Sequence, residues 1–75
     1  MKVGYRVIGE LKKVVEPDRG QLELPAGSTV GDLMTRLAVP EGKLVIAVVE
    51  GRRKHKRDLL EDGKEVVLIP PAIGG

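Results

Sequence analysis

The chain has 75 residues, 13 basic and 11 acidic side chains, a net charge of +2 and no cysteine. That length makes one small domain, near the lower limit for a self-sufficient hydrophobic core. The missing cysteine excludes disulfides, thiolate nucleophiles, thiolate metal sites and cysteine-held iron–sulfur clusters.

No apolar run approaches the ~18 residues of a membrane span, and residues 1–10 mix charged with apolar side chains, unlike a signal peptide. A cytoplasmic protein with no membrane partner is expected. Tyr5 is the only aromatic residue, so the core has to be built from Val, Leu and Ile.

In chain order, "KVGYRVIGEL" (residues 2–11) puts Val3, Tyr5 and Val7 on one face, the period-two pattern of a half-buried strand. Residues 16–20, "EPDRG", have turn chemistry. Residues 21–24, "QLEL", predict the second strand of a hairpin. "STVGDLMTRLAVP" predicts a short helix capped by Thr29, with Asp32 three residues on and Val30, Leu33, Met34 and Leu37 forming one apolar stripe. Gly31 weakens its first turn, and Pro40 is expected to close it.

Residues 44–49, "LVIAVV", predict a strand buried on both faces or central in a sheet. Glu50 and Gly51 offer a turn, and "RRKHKRD" a solvated hairpin arm or loop. Leu59 and Leu60 are expected to return to the core before a turn at Asp62 and Gly63 and a last strand, "EVVLI". The pattern is an α+β domain with one helix packed on a mixed sheet.

Catalytic groups are scarce. Ser28, the only serine, sits at the helix start, where capping accounts for it. His55, the only histidine, lies in a basic run without partners for a metal. The carboxylates are scattered over turns, with no pair placed for acid–base work. An enzyme acting alone is not expected.

The cluster Arg52, Arg53, Lys54, Lys56 and Arg57 could bind phosphates. Single-strand binders stack bases on aromatic rings, however, and this chain has one. An acidic protein partner is favoured over nucleic acid, beside the ordinary reading of a solvated edge.

The C-terminal "LIPPAIGG" is the remaining candidate. Pro70 and Pro71 cannot donate to a sheet ladder and favour extended backbone. Residues 70–75 therefore read as an extended arm beyond a domain of residues 1–69, reaching at most about 20 Å. Gly74 and Gly75 carry no side chain, so a terminal carboxylate could pass a constriction and approach a reacting centre. A chance glycine pair on a disordered end is the plain alternative.

The order of elements, "STVGDLMTRL" and above all "LEDGKEVVLIPPAIGG" resemble the ubiquitin-like β-grasp sulfur carriers, the family of the molybdopterin synthase small subunit and ThiS. The resemblance covers essentially the whole chain. It implies a β-grasp sheet of four to five strands, one main helix and an extended tail. It further implies that the Gly75 carboxylate is adenylated by a ubiquitin-activating-like adenylyltransferase and converted to a thiocarboxylate. The carrier binds no cofactor, and the activating partner consumes the ATP. Sulfur then passes to a synthase, either the molybdopterin synthase large subunit or a thiazole synthase.

Carried over by position, Gly75 bears the sulfur and Gly74 threads the partner's channel. Pro70, Pro71, Ala72 and Ile73 form the inserted arm, and Leu68, Ile69 and Ile73 anchor the partner. The proline pair favours molybdopterin or tungstopterin synthesis. The short connection at residues 39–42 and the short chain also suit the thiamine pathway, and a ubiquitin-like modifier joined to lysines shares the same fold. From another class, a small RNA-binding module would use residues 52–57.

Overall fold

The computed structural model describes residues 1–40, 42 and 44–70. Its elements are β1 (Lys2–Val7), a 3-10 turn (Gly9–Lys13), β2 (Arg19–Glu23), α1 (Val30–Arg36), β3 (Ile46–Val49), β4 (Arg52–Lys54) and β5 (Glu65–Ile69). The five strands form one mixed sheet in the order β2-β1-β5-β3-β4. This is the α+β arrangement that the sequence predicts, one helix on a mixed sheet.

β1 lies antiparallel to β2, with Val3 opposite Leu22. It lies parallel to β5, with Tyr5 opposite Val66 and Val7 opposite Leu68. Those residues share one face, which buries against Val30, Leu33 and Met34 of α1. Fully burying an aliphatic side chain of this size contributes about 1.5–3 kcal/mol, so this shared face is the main source of stability. The Tyr5 ring is buried in it, and its hydroxyl donates to the Pro17 carbonyl at 2.9 Å.

The helix start is built as expected. Asp32 N–H donates to Thr29 Oγ1 at 3.2 Å, and Thr29 N–H donates to Asp32 Oδ2 at 2.9 Å. This reciprocal capping box satisfies two otherwise orphaned donors. Ser28 does not cap: its hydroxyl donates to the Pro25 carbonyl at 2.7 Å and closes the preceding turn. Gly31 has a role that helix propensity hides. Its N–H donates to the Lys56 carbonyl at 2.8 Å, and a Cβ there would stand 3.3 Å from that oxygen. The weak helix former is what lets the 55–58 turn lie against the helix.

The helix ends before Pro40 can act. Ala38 has φ +59°, its N–H donates to the Thr35 carbonyl, and Val39 N–H donates to the Met34 carbonyl, both at 3.0 Å. This is a Schellman closure, a left-handed position that favours glycine. Ala38→Gly is therefore expected to raise stability by about 1 kcal/mol, since the left-handed conformation costs a Cβ-bearing residue about 1–2 kcal/mol. Denaturant melts check this; no gain would mean that the closure is unstrained.

Three further sequence expectations need correction. The first strand stops at Val7, because Gly9 turns at φ +66° and the following 3-10 turn sends Leu11 into the core. Residues 44–49 do sit inside the sheet, but the strand spans only Ile46–Val49, Ala47 alone is fully buried and Leu44 is 69% exposed. The single helix covers one face of the sheet and leaves the other open. Leu60 reaches the core as expected, whereas Leu59 is 65% exposed.

The Glu50–Gly51 and Asp62–Gly63 turns form as read, but Arg19 and Gly20, read as part of the 16–20 turn, are the start of β2 and pair with Arg6 and Tyr5. Glu50 and Gly51 both have positive φ, 51° and 77°, the two-residue turn whose twist suits a hairpin. The Lys64 ammonium, just before β5, donates to Glu50 Oε1 at 2.9 Å. That hydrogen bond, together with the Glu50 charge, raises the Lys64 pKa above the ordinary lysine value. With a raised folded pKa, the contribution is fully present below pH ~10.4 and is lost only as pH rises through the folded value. Stability near neutrality does not depend on it.

Candidate functional site

β5 is the strand that leads to the chain end, and its alternation decides which residues a partner can touch. Val66 and Leu68 face the helix; Val67 and Ile69 face the opposite, open side. Leu68 has 0% of its surface exposed. The expectation that Leu68 anchors a partner is thus corrected: it is a core residue, opposite Val7 on one side and Ala47 on the other. Ile69 is half-buried on the open face, opposite Ile46. Pro70 is half-buried and lies beside Gly9. Pro71, Ala72, Ile73, Gly74 and Gly75 lie outside the described residues.

The root of the tail is held firmly. Ile8 N–H donates to the Leu68 carbonyl at 3.0 Å, continuing the parallel ladder by one bond. The next residue, Gly9, turns with positive φ, and a Cβ there would come within 3.2 Å of Pro70 Cγ. Gly9 therefore lets the chain after β1 close against the first tail proline. Gly9→Ala is expected to cost about 1–2 kcal/mol from the left-handed backbone alone. The added contact with Pro70 should enlarge that loss, and Pro70→Ala in the same chain should recover part of it. A double-mutant cycle by denaturant melts measures the coupling; zero coupling would remove Gly9 from the tail root.

Around Ile69 the pairing register assembles a surface that no contiguous stretch of sequence displays. Ile69 lies opposite Ile46 and Val67 opposite Val48, while Val67 also lies opposite Arg6. Arg6 in turn lies opposite Arg19, and Val48 opposite Arg53. One row across the open face therefore reads Arg19, Arg6, Val67, Val48, Arg53. Ile69 and Ile46 stand in the next same-face row, towards the tail, with Ile8 beside them, 39% exposed. Five branched aliphatic side chains framed by arginines thus surround the point where the tail leaves the sheet. Such a patch, with an apolar centre and a charged rim, has the makeup of a protein-docking surface.

Of these residues, sequence reasoning found Ile69 and missed Ile8, Ile46, Val48 and Val67. A signal was present: residues 44–49 are apolar on both faces, while the sequence predicts one helix with which to cover a sheet. The arginines of the frame come from three different strands of the chain, and only the strand order aligns them.

Among the described residues, no group of three His, Cys, Asp or Glu side chains is placed to hold a metal ion. Every buried side-chain polar atom among them has a hydrogen-bond partner. No described helix is long and apolar enough to cross a membrane. What the described residues offer is an apolar, arginine-framed face around the end of β5.

Known proteins share this fold. The putative molybdopterin converting factor subunit 1 of Pyrococcus furiosus superposes with a TM-score of 0.79 at 24% identity, over 96% of this chain and 99% of that one. The small archaeal modifier protein 1 of H. volcanii gives 0.79 at 18% identity, over 95% and 98%. A chain from the complex of subunits 1 and 2 of the molybdopterin-converting factor of Helicobacter pylori gives 0.65 at 20% identity, over the whole of both chains. These likenesses establish the ubiquitin-like β-grasp fold. No curated protein matches the sequence. The sequence pattern of the ThiS family matches residues 5–75, nearly the whole chain, and the protein belongs to that family.

Proposed function

We propose that the protein is a sulfur carrier whose reactive group is the Gly75 carboxylate. The observation that carries this reading is the apolar, arginine-framed face gathered around the tail root, in a member of the ThiS family whose sequence ends in Pro-Pro-Ala-Ile-Gly-Gly. The face gives a partner something to hold while the tail enters its active site.

In the first step a carboxylate oxygen of Gly75 attacks the α-phosphorus of ATP on an activating adenylyltransferase, and pyrophosphate leaves. In the second, a sulfur nucleophile at the sulfide level attacks the acyl carbon, and AMP leaves with the transferred oxygen. The product is a terminal thiocarboxylate. The carrier needs no base or nucleophile of its own, since ATP activates the carboxylate and the partners supply the rest. Ile8, Ile46, Val48, Val67 and Ile69 bind the partner, Gly9 and Pro70 aim the tail, and Gly74 passes the constriction.

The acceptor we favour is the pterin dithiolene precursor of molybdopterin or tungstopterin, on the large subunit of a synthase. The proline pair and the likeness to molybdopterin converting factor subunits support it. A second reading, a protein modifier joined to lysines, is supported by the equally good superposition on the small archaeal modifier protein.

Intact mass spectrometry of the protein from its native cells separates the two. Replacement of one oxygen by sulfur, mapped to Gly75, is the result expected of the carrier. Isopeptide adducts on lysines of other proteins, with no thiocarboxylate, would favour the modifier and sink the carrier.

A further inference from the structure

We propose that β4 and the turn after it form a docking edge for an acidic protein segment that carries an apolar residue at its centre. β4 is three residues long and wholly cationic, Arg52, Arg53 and Lys54, and the turn adds Lys56 and Arg57. Among the described residues the ion pairs are Met1 N-terminus with Glu23, Lys12 with Asp18, and Lys64 with Glu50. None involves these five cations. Asp58, the nearest carboxylate in sequence, instead accepts the His55 backbone N–H at 2.7 Å and holds the turn.

An apolar element sits in the same surface. Leu59 is 65% exposed and lines a shallow notch with Lys54, Lys64 and Glu61 over the core residues Val30, Leu60 and Val66. The backbone fixes it there, through a bridge to Thr29 and the Val30 N–H donated to the Asp58 carbonyl at 3.0 Å. Lys64 is engaged by Glu50, so Lys54, with Arg52, Lys56 and Arg57 nearby in the chain, supplies the charge beside this exposed leucine. Such a surface fits a ligand with both carboxylates and a hydrophobic side chain.

Neither edge protection nor RNA binding fits this surface as well. A strand that is already very short has little edge to protect from pairing, so five cations exceed what that role asks. Single-stranded RNA would want exposed rings to stack on, but Tyr5 is the chain's only aromatic residue and is buried.

The edge also stands near the tail root. Lys54 lies opposite Ala47, and Ala47 opposite Leu68, so Lys54 is level with the end of β5 at two strand spacings, about 9.5 Å. Arg53 belongs to the frame of the open face as well. A partner that grips the tail can therefore reach this edge in the same encounter, and its acidic segment would steer the approach.

The test is fluorescence anisotropy with a labelled short peptide of glutamates around one leucine, an all-glutamate version, and an oligouridine, each against the full chain. The leucine-bearing peptide should bind best, and rising salt should weaken it by screening. Neutralising Arg52, Arg53, Lys54, Lys56 and Arg57 to Gln should weaken it about tenfold or more, and Leu59→Ser about fivefold. Should the full set fail to fold, Arg52→Gln/Arg53→Gln and Lys56→Gln/Arg57→Gln make the same test in smaller steps.

No binding at low salt, unchanged binding by folded neutralised chains, or no effect of Leu59→Ser would each overturn the proposal. Tighter binding of oligouridine than of the peptide would overturn it in favour of a nucleic-acid edge. None of these measurements uses Gly75, so the carrier reading stands or falls separately.

Discussion

A chain lacking Gly75 is expected to melt like the full protein and to lose ATP-dependent sulfur loading by about a hundredfold or more. The expectation follows from reach. β5 and Pro70 hold the root of the tail through the Ile8–Leu68 hydrogen bond and the Gly9 contact, so the tail cannot compensate by sliding out of the sheet. Removing one residue withdraws the carboxylate by up to about 3.5 Å, and a misplacement of about 1 Å at a reacting centre can cost about 10²-fold. The truncated chain still ends in a glycine carboxylate, so chemistry alone would not distinguish it. Pyrophosphate exchange with the activating enzyme from the same genome, followed by mass analysis, reads the result. Loading close to that of the full chain would mean that the terminal position is not the reactive one.

The second large effect separates two neighbours in sequence. Leu68→Ala is expected to destabilise the fold by about 2–5 kcal/mol, the usual cost of emptying a buried leucine site. Against a total of about 5–15 kcal/mol, and with about 4–8 °C per kcal/mol in a domain this size, the midpoint should fall by about 8–40 °C. Ile69→Ala should leave the midpoint within a few degrees and instead weaken the partner, because its side chain lies on the open face beside Ile46. Interfaces concentrate affinity in such anchors, about 1–2 kcal/mol or more each. Urea melts and partner titration on both variants make the comparison. Equal loss of stability from the two substitutions would refute the assignment of faces along β5.

These neighbours also mark how far the sequence could be read. The amphipathic stripe of α1, its Thr29 cap, the Glu50–Gly51 and Asp62–Gly63 turns and the final strand were legible because each depends on residues close in the chain. The side of β5 that meets the helix was not, since both Val66–Leu68 and Val67–Ile69 are apolar pairs and either could have faced inward. Leu59 and Leu60 posed the same problem, and one of them stayed outside.

Local chemistry in the sequence thus determined the helix with its Thr29 cap, the Glu50–Gly51 and Asp62–Gly63 turns, the last strand and the lack of a cysteine site. Tertiary structure alone decided that β1 lies parallel to β5, so that Arg19, Arg6, Val67, Val48 and Arg53 fall in one row. It also decided that Gly9 meets Pro70 and that Gly31 lies against the Lys56 carbonyl. The reason is physical: hydrogen-bond register between distant strands sets which side chains share a face. That register is chosen by burying the Val3, Tyr5, Val7, Val66 and Leu68 side against a single helix.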